Sequence, residues 1–469
     1  MASLMDPLDA AMMTGESSNP LHVAAVLIMS PPENAGSGYV DEIYRETLSA
    51  TASLDPRLRR YPHHDLATGG LWVWQPVDSV DMRDHCERLT LSAHSGPEAL
   101  WQKISELHAA PLDRSRPMWM SYLIDGLDDG RFAFYVKVHH TLVDGVAGLQ
   151  MIAEGLSTDS HRRSMPAFFA AHHDRPAAVP ELSESRSPNP FRFVRELVNA
   201  ASARAGAVQR LVVGEVQTLV EGLTSDTTVS PLAAPYTRFN GRLGKGRAVA
   251  AASWPRDRIR AIQTQAGVTG NDVVVAVVSG VLRRWLLDHD ELPRSTLVGV
   301  CPITARARGG DSDSEHGNVF GAWLCPLGTD LDDPAERLSL IHRSMTEGKR
   351  RVAERGAGLS MLLLAPSIGP TVLSPMLPSF VPRLRTGYNL PISYVPAPRT
   401  AMYWNGARVD EIYPVSAVFD GQSLNVTACS YAERICFGYV AGTDVMPDID
   451  TVVPLTEQTI TELEAAVAL

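Results

Sequence analysis

The sequence predicts a mixed α/β protein in which two regions of similar kind flank a linker. Residues 21–156 and the residues from about 248 onward both mix apolar runs typical of strands with amphipathic stretches typical of helices. Between them, residues 157–192 are rich in Ser, Pro, His and charged residues, a composition typical of a linker. A chain of 469 residues has room for two or three domains. We therefore divide it into an N-terminal domain, a linker with a long helix and a C-terminal domain, at residues 1–156, 157–240 and 241–469.

The N-terminal region contains strands and helices in alternation. The predicted strands lie at residues 22–29, 120–127 and 131–138, and the predicted helices at 98–112 and 146–156. In the first of these helices, Leu100, Ile104 and Leu107 recur at helical spacing and form one apolar face. The second and third strands meet at a turn region rich in Gly and Asp, which favours a hairpin.

The same kinds of pattern predict the helices and strands of the linker and the C-terminal region. The linker's long helical pattern spans residues 193–223. In the C-terminal region we predict helices at 271–289 and 333–354 and strands at 296–303, 318–327, 389–396, 424–431 and 434–442. Asp333 and Pro334 form a typical start for the second of these helices.

Charge and cysteine content exclude several classes of function. The formal net charge is −11, which argues against binding to nucleic acid and against adhesion to anionic lipid through a basic patch. The five cysteines include no CxxC pair, so neither a disulfide framework nor a zinc ribbon is expected, and a reducing compartment is the simpler interpretation. No other metal-site spacing occurs, and we expect no metal and no bound cofactor.

The chain lacks an obvious membrane-spanning segment. Its first twenty residues carry acids instead of the basic start of a signal peptide, and the apolar run at residues 21–29 is too short to span a bilayer. The apolar stretch from Leu359 contains Pro366, Pro370, Pro375 and Pro378 and is a poor continuous helix. It is either a surface that touches lipid or a buried segment with irregular turns, and we favour the second.

One of three histidine doublets has a spacing that suggests chemistry. His139 and His140 are followed by three residues and then Asp144-Gly145, whereas the doublets at 63–64 and 172–173 lie in polar, Pro-flanked stretches typical of solvated loops. The predicted strand at 131–138 leads directly into the doublet at 139–140. A histidine at a strand end is held rigidly and has a pKa suited to general-base catalysis.

The two histidines of this doublet have different expected roles. Strand alternation places them on opposite sides of the chain, so that one faces the core and the other a cleft. We expect His140 to be the base. His139 is a second catalytic candidate, although a structural role is favoured for it. Asp144 caps the helix that begins near Gly145 or pairs with an arginine that braces the turn.

Several segments in order along the chain resemble the bacterial wax ester synthase/diacylglycerol acyltransferase family, which includes actinobacterial triacylglycerol synthases. HHTLVDG matches the HHxxxDG motif of the wider CoA-dependent acyltransferase superfamily. The further matching segments are MDPLDAAM at 5–12, PLDRSRPMW at 111–119, RFNG at 238–241, GNDVVVAVVSGVLRRWL at 270–286, CPITARAR at 301–308, HGNVFG at 316–321, YPVS at 413–416, GQSLNVTACSY at 421–431 and CFGYVAGTDVMPD at 436–448.

The resemblance implies two chloramphenicol acetyltransferase-like α/β domains with an active-site tunnel between them. His140 matches the family's catalytic base. Asn271 and Asp272 match its ND motif and are candidates for binding the substrate or the developing oxyanion. Asn271 would position the acyl group or donate to the oxyanion, with a helix N-cap as the alternative. The resemblance also implies that Arg306 braces Asp144. Pro117 and Trp119 match the PLW element and are tunnel candidates.

The implied reaction moves a long-chain acyl group from acyl-CoA to diacylglycerol, and to fatty alcohols as a further acceptor. The expected location is cytoplasmic, with peripheral attachment to the inner membrane or to lipid droplets. Two alternatives stay open: an acyltransferase for another hydroxyl, such as that of a polyketide, and a weakly active acyl-CoA- or lipid-binding homologue. The sequence departs from the family pattern at Tyr394, at Ala397, where the family has glycine, and at Met118. We expect Ala397 to alter a turn near the tunnel, because it lacks the backbone freedom of glycine.

Overall fold

The described part of the chain contains two large sheets and one small one. The computed structural model describes residues 2–16, 19–49, 54–143, 145–165, 234–306, 318–355 and 386–468, with a few isolated positions between them. The strands are β1 Ser3–Leu4, β2 His22–Ser30, β3 Arg60–His63, β4 Val73–Pro76, β5 Cys86–Ser95, β6 Trp119–Leu127, β7 Phe132–His139, β8 Arg247–Pro255, β9 Val298–Arg306, β10 Asn318–Pro326, β11 Leu390–Pro396, β12 Met402–Trp404, β13 Ala407–Val415, β14 Leu424–Tyr431 and β15 Arg434–Gly442.

Helices accompany these strands along the chain. They are α1 Pro7–Gly15, α2 Tyr39–Ser49, α3 Pro97–Ala109, α4 Gly145–Glu154, α5 Arg256–Ala266, α6 Gly270–Asp288, α7 Pro334–Arg355 and α8 Val452–Val467. Each strand and helix predicted from the sequence within these ranges is confirmed, with ends that differ by a few residues. The predicted linker helix at 193–223 lies outside the described residues.

The strand order shows that two strands of the C-terminal region belong to the N-terminal sheet. The first large sheet has the order β12-β13-β2-β7-β6-β5, and the second has the order β10-β9-β11-β14-β15-β8. In the first sheet, β13 pairs antiparallel with β2 from Arg408↔Ser30 to Val415↔Ala24. The predicted division at residue 241 therefore does not coincide with the boundary between the sheets, because residues 402–415 belong to the N-terminal sheet. Sequence pattern identifies single strands and carries no information on which sheet accepts them.

Apolar side chains fill three layers around these sheets. One core lies on the α4 side of the first sheet, and a second surrounds α6, whose side chains from Val273 to Leu282 are almost entirely buried. The third core lies between the halves, where Tyr135 and Tyr413 of the first sheet pack with Val249 and Val440 of the second. This third core fixes the two halves against each other near the end of β7.

Candidate active site

The histidine doublet lies where β7 ends. His139 is the last residue of β7 and pairs with His22 of β2. The His140 N–H donates to the Leu21 carbonyl (2.9 Å), which extends the β2–β7 ladder by one residue. The Leu142 N–H then donates to the His139 carbonyl (2.9 Å), so the chain turns, and α4 begins at Gly145. Both histidines are thus fixed by backbone hydrogen bonds.

The His139 side chain is buried, and both its ring nitrogens are occupied. Nδ1 lies 2.7 Å from the Thr141 hydroxyl and accepts the Thr141 N–H (3.2 Å). Nε2 lies 2.9 Å from a carboxylate oxygen of Glu16 and donates to it. A ring that is 1% exposed and bonded at both nitrogens is not positioned to take a substrate proton. The structure therefore favours the structural role for His139 over the catalytic one.

Glu16 is the centre of this network. Its two carboxylate oxygens accept hydrogen bonds from His139, from the Leu21 N–H (2.8 Å) and from Arg114 (2.8 Å). Burial by itself raises the pKa of Glu16, but the hydrogen bonds from His139 and Leu21 and the charge of Arg114 outweigh it and lower the pKa below 4.5. Glu16 is therefore an anion that ties the N-terminal segment to the doublet.

Three separate sequence segments meet at this carboxylate. Glu16 follows the MDPLDAAM segment, Arg114 lies within PLDRSRPMW, and His139 opens HHTLVDG. Arg114 also donates to the backbone carbonyls of Glu16 (2.7 Å) and Met13 (3.2 Å). Neither Glu16 nor Arg114 was among the predicted site residues. Their only signal in the sequence is that each lies in or beside one of these segments.

A second buried polar group lies on the same side of β7. The Lys137 ammonium, 1% exposed, donates to the carbonyls of Leu107 (2.6 Å) and Ala110 (2.8 Å) at the end of α3. Burial lowers the pKa of Lys137 to about 8. A cation at a helix C-terminus complements the partial negative charge there, so Lys137 fixes α3 to β7.

Two further buried histidines complete this polar region. His22 Nε2 donates to the His108 carbonyl (2.7 Å), while His108 receives the Tyr135 hydroxyl (3.0 Å) and donates to the Ser416 carbonyl (3.3 Å). Burial lowers the pKa of His108 to about 3 and that of His22 well below 6.5. Both rings are therefore neutral at physiological pH.

The opposite face of β7 is apolar and borders a cavity of about 50 Å³. The cavity is lined by Val23, Ala24, Ala25, Leu58, Trp119, Val136, Val138, Val143, Gly145, Gly148, Leu149, Met151 and Ile152. Since ladder alternation continues to residue 140, we infer that half-buried His140 lies on the face of Val136 and Val138. The residues on either side of the doublet, Val138 and Val143, both line the cavity.

Asn271 and Asp272 lie in the first turn of α6 and differ in environment. Thr269 is the N-cap and forms a capping box with Asp272, so the alternative that Asn271 is the N-cap is wrong. Asp272 is fully buried and accepts from Thr269 N–H (2.9 Å) and His342 Nδ1 (2.8 Å). These contacts assign Asp272 a structural role rather than one in substrate or oxyanion binding. The Asn271 amide is partly exposed and makes no side-chain hydrogen bond with the described residues.

The remaining predicted site residues have mixed outcomes. Asp144 and the side chain of Arg306 lie outside what the structure describes, so their predicted pairing stays a prediction. Trp119 lines the cavity and donates through its indole to the Leu58 carbonyl (3.1 Å). Pro117 is buried but is not among the lining residues.

One of the two departures in residues 394–397, Tyr394, lies near Asn271. Gly270, next to Asn271, faces the Tyr394 ring. Ala397 has no positive φ, so its backbone conformation is open to alanine, and the expected difference from a glycine-containing turn stays a prediction. The turn tolerates alanine because it stays in the region open to all residues.

The described residues can be assessed for groups of metal ligands and for helices of membrane-spanning length. No group of three or more His, Cys, Asp or Glu side chains suited to a metal ion occurs in those ranges. No single described helix has the length and apolarity to cross a membrane. Taken together, α5 and α6 reach that length and apolarity, but the two helices are bent by 105° relative to each other. The apolar stretch from Leu359 lies largely outside the described residues.

Family models match both halves of the chain. The model described as the wax ester synthase/diacylglycerol acyltransferase catalytic domain matches residues 5–274, and the WS/DGAT C-terminal domain matches residues 316–464. A protein of Mycobacterium tuberculosis, named as a candidate diacylglycerol O-acyltransferase, is 37% identical over 99% of this chain and 100% of its own. A second relative from the same organism, with the same type of name, is 33% identical with the same coverage.

Solved structures agree with these matches. The wax ester synthase/diacylglycerol acyltransferase from Marinobacter aquaeolei VT8 is 27% identical, with a TM-score of 0.74 over 100% of both chains. The first condensation domain of the calcium-dependent antibiotic synthetase is 16% identical, with a TM-score of 0.54 over 99% of this chain and 96% of its own. This second likeness shows the fold alone.

Proposed function

The chain belongs to the wax ester synthase/diacylglycerol acyltransferase family, and from this premise we propose its substrates and the residues that act on them. The enzyme is an acyltransferase. The proposed donor is a long-chain acyl-CoA, and the proposed acceptors are diacylglycerol and long-chain alcohols. The names of its relatives support the acceptor class, and the apolar cavity beside the doublet supports an aliphatic donor.

We assign His140 as the general base. Its imidazole takes the hydroxyl proton of the acceptor while the oxygen attacks the thioester carbonyl. The tetrahedral intermediate collapses as the carbon–sulfur bond breaks, and the CoA thiolate receives the same proton from the imidazolium. No acyl-enzyme is required, because the proton and the acyl group are transferred within one ternary complex.

The observation that supports this assignment is the environment on either side of the doublet. His139 is held at both nitrogens by Glu16 and Thr141, on the polar face of β7. By strand alternation we infer that His140 lies on the opposite face, where Val138 and Val143 line the apolar cavity from the two sides of the doublet. An imidazole at the border of an apolar cavity is suited to deprotonating a hydroxyl next to an aliphatic thioester.

Asn271 is proposed as a donor to the oxyanion. It lies at the positive end of the α6 dipole, and its amide makes no hydrogen bond with the described residues. Since the amide can donate without losing such a bond, it is suited to a charge that exists only in the transition state.

Thiol release from palmitoyl-CoA tests the proposed function. The enzyme is incubated with diacylglycerol, with hexadecanol or with no acceptor, and free CoA and the ester product are quantified. We expect release that depends on diacylglycerol or hexadecanol and matches the ester formed. Tight acyl-CoA binding without release would support the lipid-binding alternative, and release only with another hydroxyl acceptor would support the polyketide-type alternative.

We also propose that the protein, in the cytoplasm, attaches peripherally to a lipid surface, the inner membrane or a lipid droplet. Three large apolar side chains are exposed around the small sheet β1-β4-β3: Leu4 (67%), Leu71 (58%) and Leu66 (99%). Leu4 pairs with Val73 on the outer face, whereas Met5 is buried. An outward sheet face is ordinarily polar, so an apolar one marks an interaction surface. The net charge of −11 favours apolar insertion over charge-driven adhesion.

This surface and the cavity are built from neighbouring parts of the chain. Leu58, which lines the cavity and accepts the Trp119 indole hydrogen bond, lies two residues before β3 of the small sheet. Sedimentation with phosphatidylcholine vesicles that contain diacylglycerol tests the attachment. Leu66→Asp should lower vesicle binding by about tenfold or more, the value of burying one leucine. Leu287→Asp, at an exposed site on α6, is the matched control and should bind as the wild type. Equal binding by all three proteins would contradict the surface.

A further inference from the structure

We propose that the cavity beneath α4 holds the part of the acyl chain nearest the thioester, and that Gly148 sets the space available to it. This inference rests on the proposed acyl transfer and adds a location. The acyl chain enters the N-terminal half, between β2, β7 and α4, instead of lying only between the two halves. Gly148 is then a specificity-determining residue.

The chemistry of the walls selects an aliphatic ligand. Every lining residue is aliphatic, glycine, Met151 or Trp119, and the Trp119 indole N–H already donates to a backbone carbonyl. A polar ligand group would lose its hydrogen bonds with water and gain none from these walls, whereas a methylene gains about 0.8 kcal/mol on burial, which is about fourfold in affinity. The cavity therefore favours a hydrocarbon chain over a headgroup or a sugar.

The position of the cavity relates it to the reacting carbonyl. Val138 and Val143 line it from the two sides of the His139-His140 doublet, and Gly145 of the same motif lines it from α4. A thioester carbonyl placed at His140 would have its first methylenes directly against these side chains. The cavity therefore fits the chain segment next to the carbonyl.

The size of the cavity limits how much of the chain it holds. A volume of 50 Å³ is room for about four water-sized units, since each needs roughly 10–15 Å³ on this scale. A methylene is close to a water molecule in size, so the cavity takes about four methylenes and the rest of a long chain continues elsewhere. Selectivity from this cavity should therefore appear between short and medium chains and then level off.

Gly148 is the position where this space can be changed without disturbing the fold. A Cβ at Gly148 would meet only the Val143 Cγ1 atom within 4 Å, at 3.6 Å, an ordinary contact. Gly148 lies inside α4, where alanine is the better helix former. Gly148→Ala is therefore expected to keep or raise the melting temperature while it removes about one methylene of space.

The experiment compares acyl-CoA chain lengths in Gly148→Ala and in a reciprocal variant, Ile152→Val, which enlarges the cavity by one methylene. We measure kcat/KM with butanoyl-, octanoyl- and palmitoyl-CoA and a fixed acceptor. For Gly148→Ala, we expect values near the wild type with butanoyl-CoA, about fourfold lower with octanoyl-CoA, and no further loss with palmitoyl-CoA. The double variant should recover most of the octanoyl activity.

Two outcomes would overturn the inference. Gly148→Ala could have the wild-type chain-length profile, or it could lose activity equally with all three donors, which would indicate an effect on the motif instead of on the chain. Failure of the proposed function is a separate result, because the wild type would then release no CoA with any donor. Melting temperatures of all variants separate both outcomes from misfolding.

Discussion

Neighbouring residues at the end of β7 point to opposite faces of the sheet, and one of these faces is polar whereas the other is apolar. On one face, His139 is bonded to Glu16 and Thr141, next to buried Lys137 and His22. On the other, Val136 and Val138 border an apolar cavity. The comparison teaches that the doublet separates two tasks. The first histidine fixes the end of the strand from the polar side, and we propose that the second faces the apolar side and acts there as the base.

The largest expected effect separates the two histidines. His140→Ala should lower turnover by about 100- to 10,000-fold, the usual value of general-base catalysis, with little change in stability. His139→Ala should lower stability as well, because it leaves the Glu16 carboxylate without one of its buried donors. Steady-state kinetics and urea unfolding of both variants measure the difference. A folded His140→Ala enzyme with near-normal turnover would contradict the assignment of the base.

The next effect concerns stability on the polar face as pH falls. His22 and His108 stay neutral in the fold because burial lowers the pKa of each, whereas in the unfolded chain they protonate near 6.5. The cations that act on these rings are Lys137, which lowers the pKa of both, and Arg247, which lowers the pKa of His108. The unfolded state therefore gains protons first, and stability present above pH 6.5 is lost as pH falls toward 3.

His108, with a pKa of about 3 in the fold, should cost about 2 kcal/mol of stability at pH 5, from 1.36 kcal/mol for each pH unit below 6.5, and His22 should add a loss in the same direction. Urea unfolding between pH 8 and pH 5 measures this loss. His108→Gln should reduce the slope, and His63→Gln, which replaces a histidine 40% exposed beside Asp65, is the control and should leave it unchanged. An unaltered slope in the His108 variant would show that other groups carry the pH dependence.

A smaller effect is expected at Lys137. Lys137→Met removes the donor of two helix-end carbonyls, Leu107 and Ala110, and should cost roughly 1–3 kcal/mol in the free energy of unfolding. Lys103→Met, on the exposed side of α3, should change it by less than about 0.5 kcal/mol. Equal values for the two variants would mean that the polar face contributes little to the attachment of α3.

The sequence pattern predicted the strand that carries these two faces. It did not predict the partners that His139 has on the polar face. Alternation along residues 131–138 and the spacing after His139 predicted the strand, its end and the opposite orientation of the histidines. Glu16 and Arg114 escaped prediction because Glu16 reaches His139 from 123 positions away along the chain and Arg114 joins the network through Glu16, so only the packed fold brings them together. The same limit explains β13, which reads as an ordinary strand but adds to the N-terminal sheet.

The smallest predicted effect tests whether the polar face influences the base electrostatically. Glu16→Gln removes a negative charge and keeps the shape, so it disfavours the protonated form of a nearby imidazole. The acidic limb of the kcat/KM profile should then move to lower pH. Arg114→Gln removes a positive charge from the same contact and should move the limb to higher pH. The kcat/KM profiles of the wild type and of both variants are measured between pH 5 and pH 9 with one donor and one acceptor.

The opposite directions distinguish this influence from simple positioning. If Glu16 and Arg114 only held the N-terminal segment in place, both substitutions would lower kcat/KM at every pH and leave the limb where it is. A shift in the same direction for both would also exclude the charge argument, because Arg114 and Glu16 carry opposite charges at a single contact with each other. Opposite shifts would show that the charges on the polar face of β7 influence the base that we place on the apolar face.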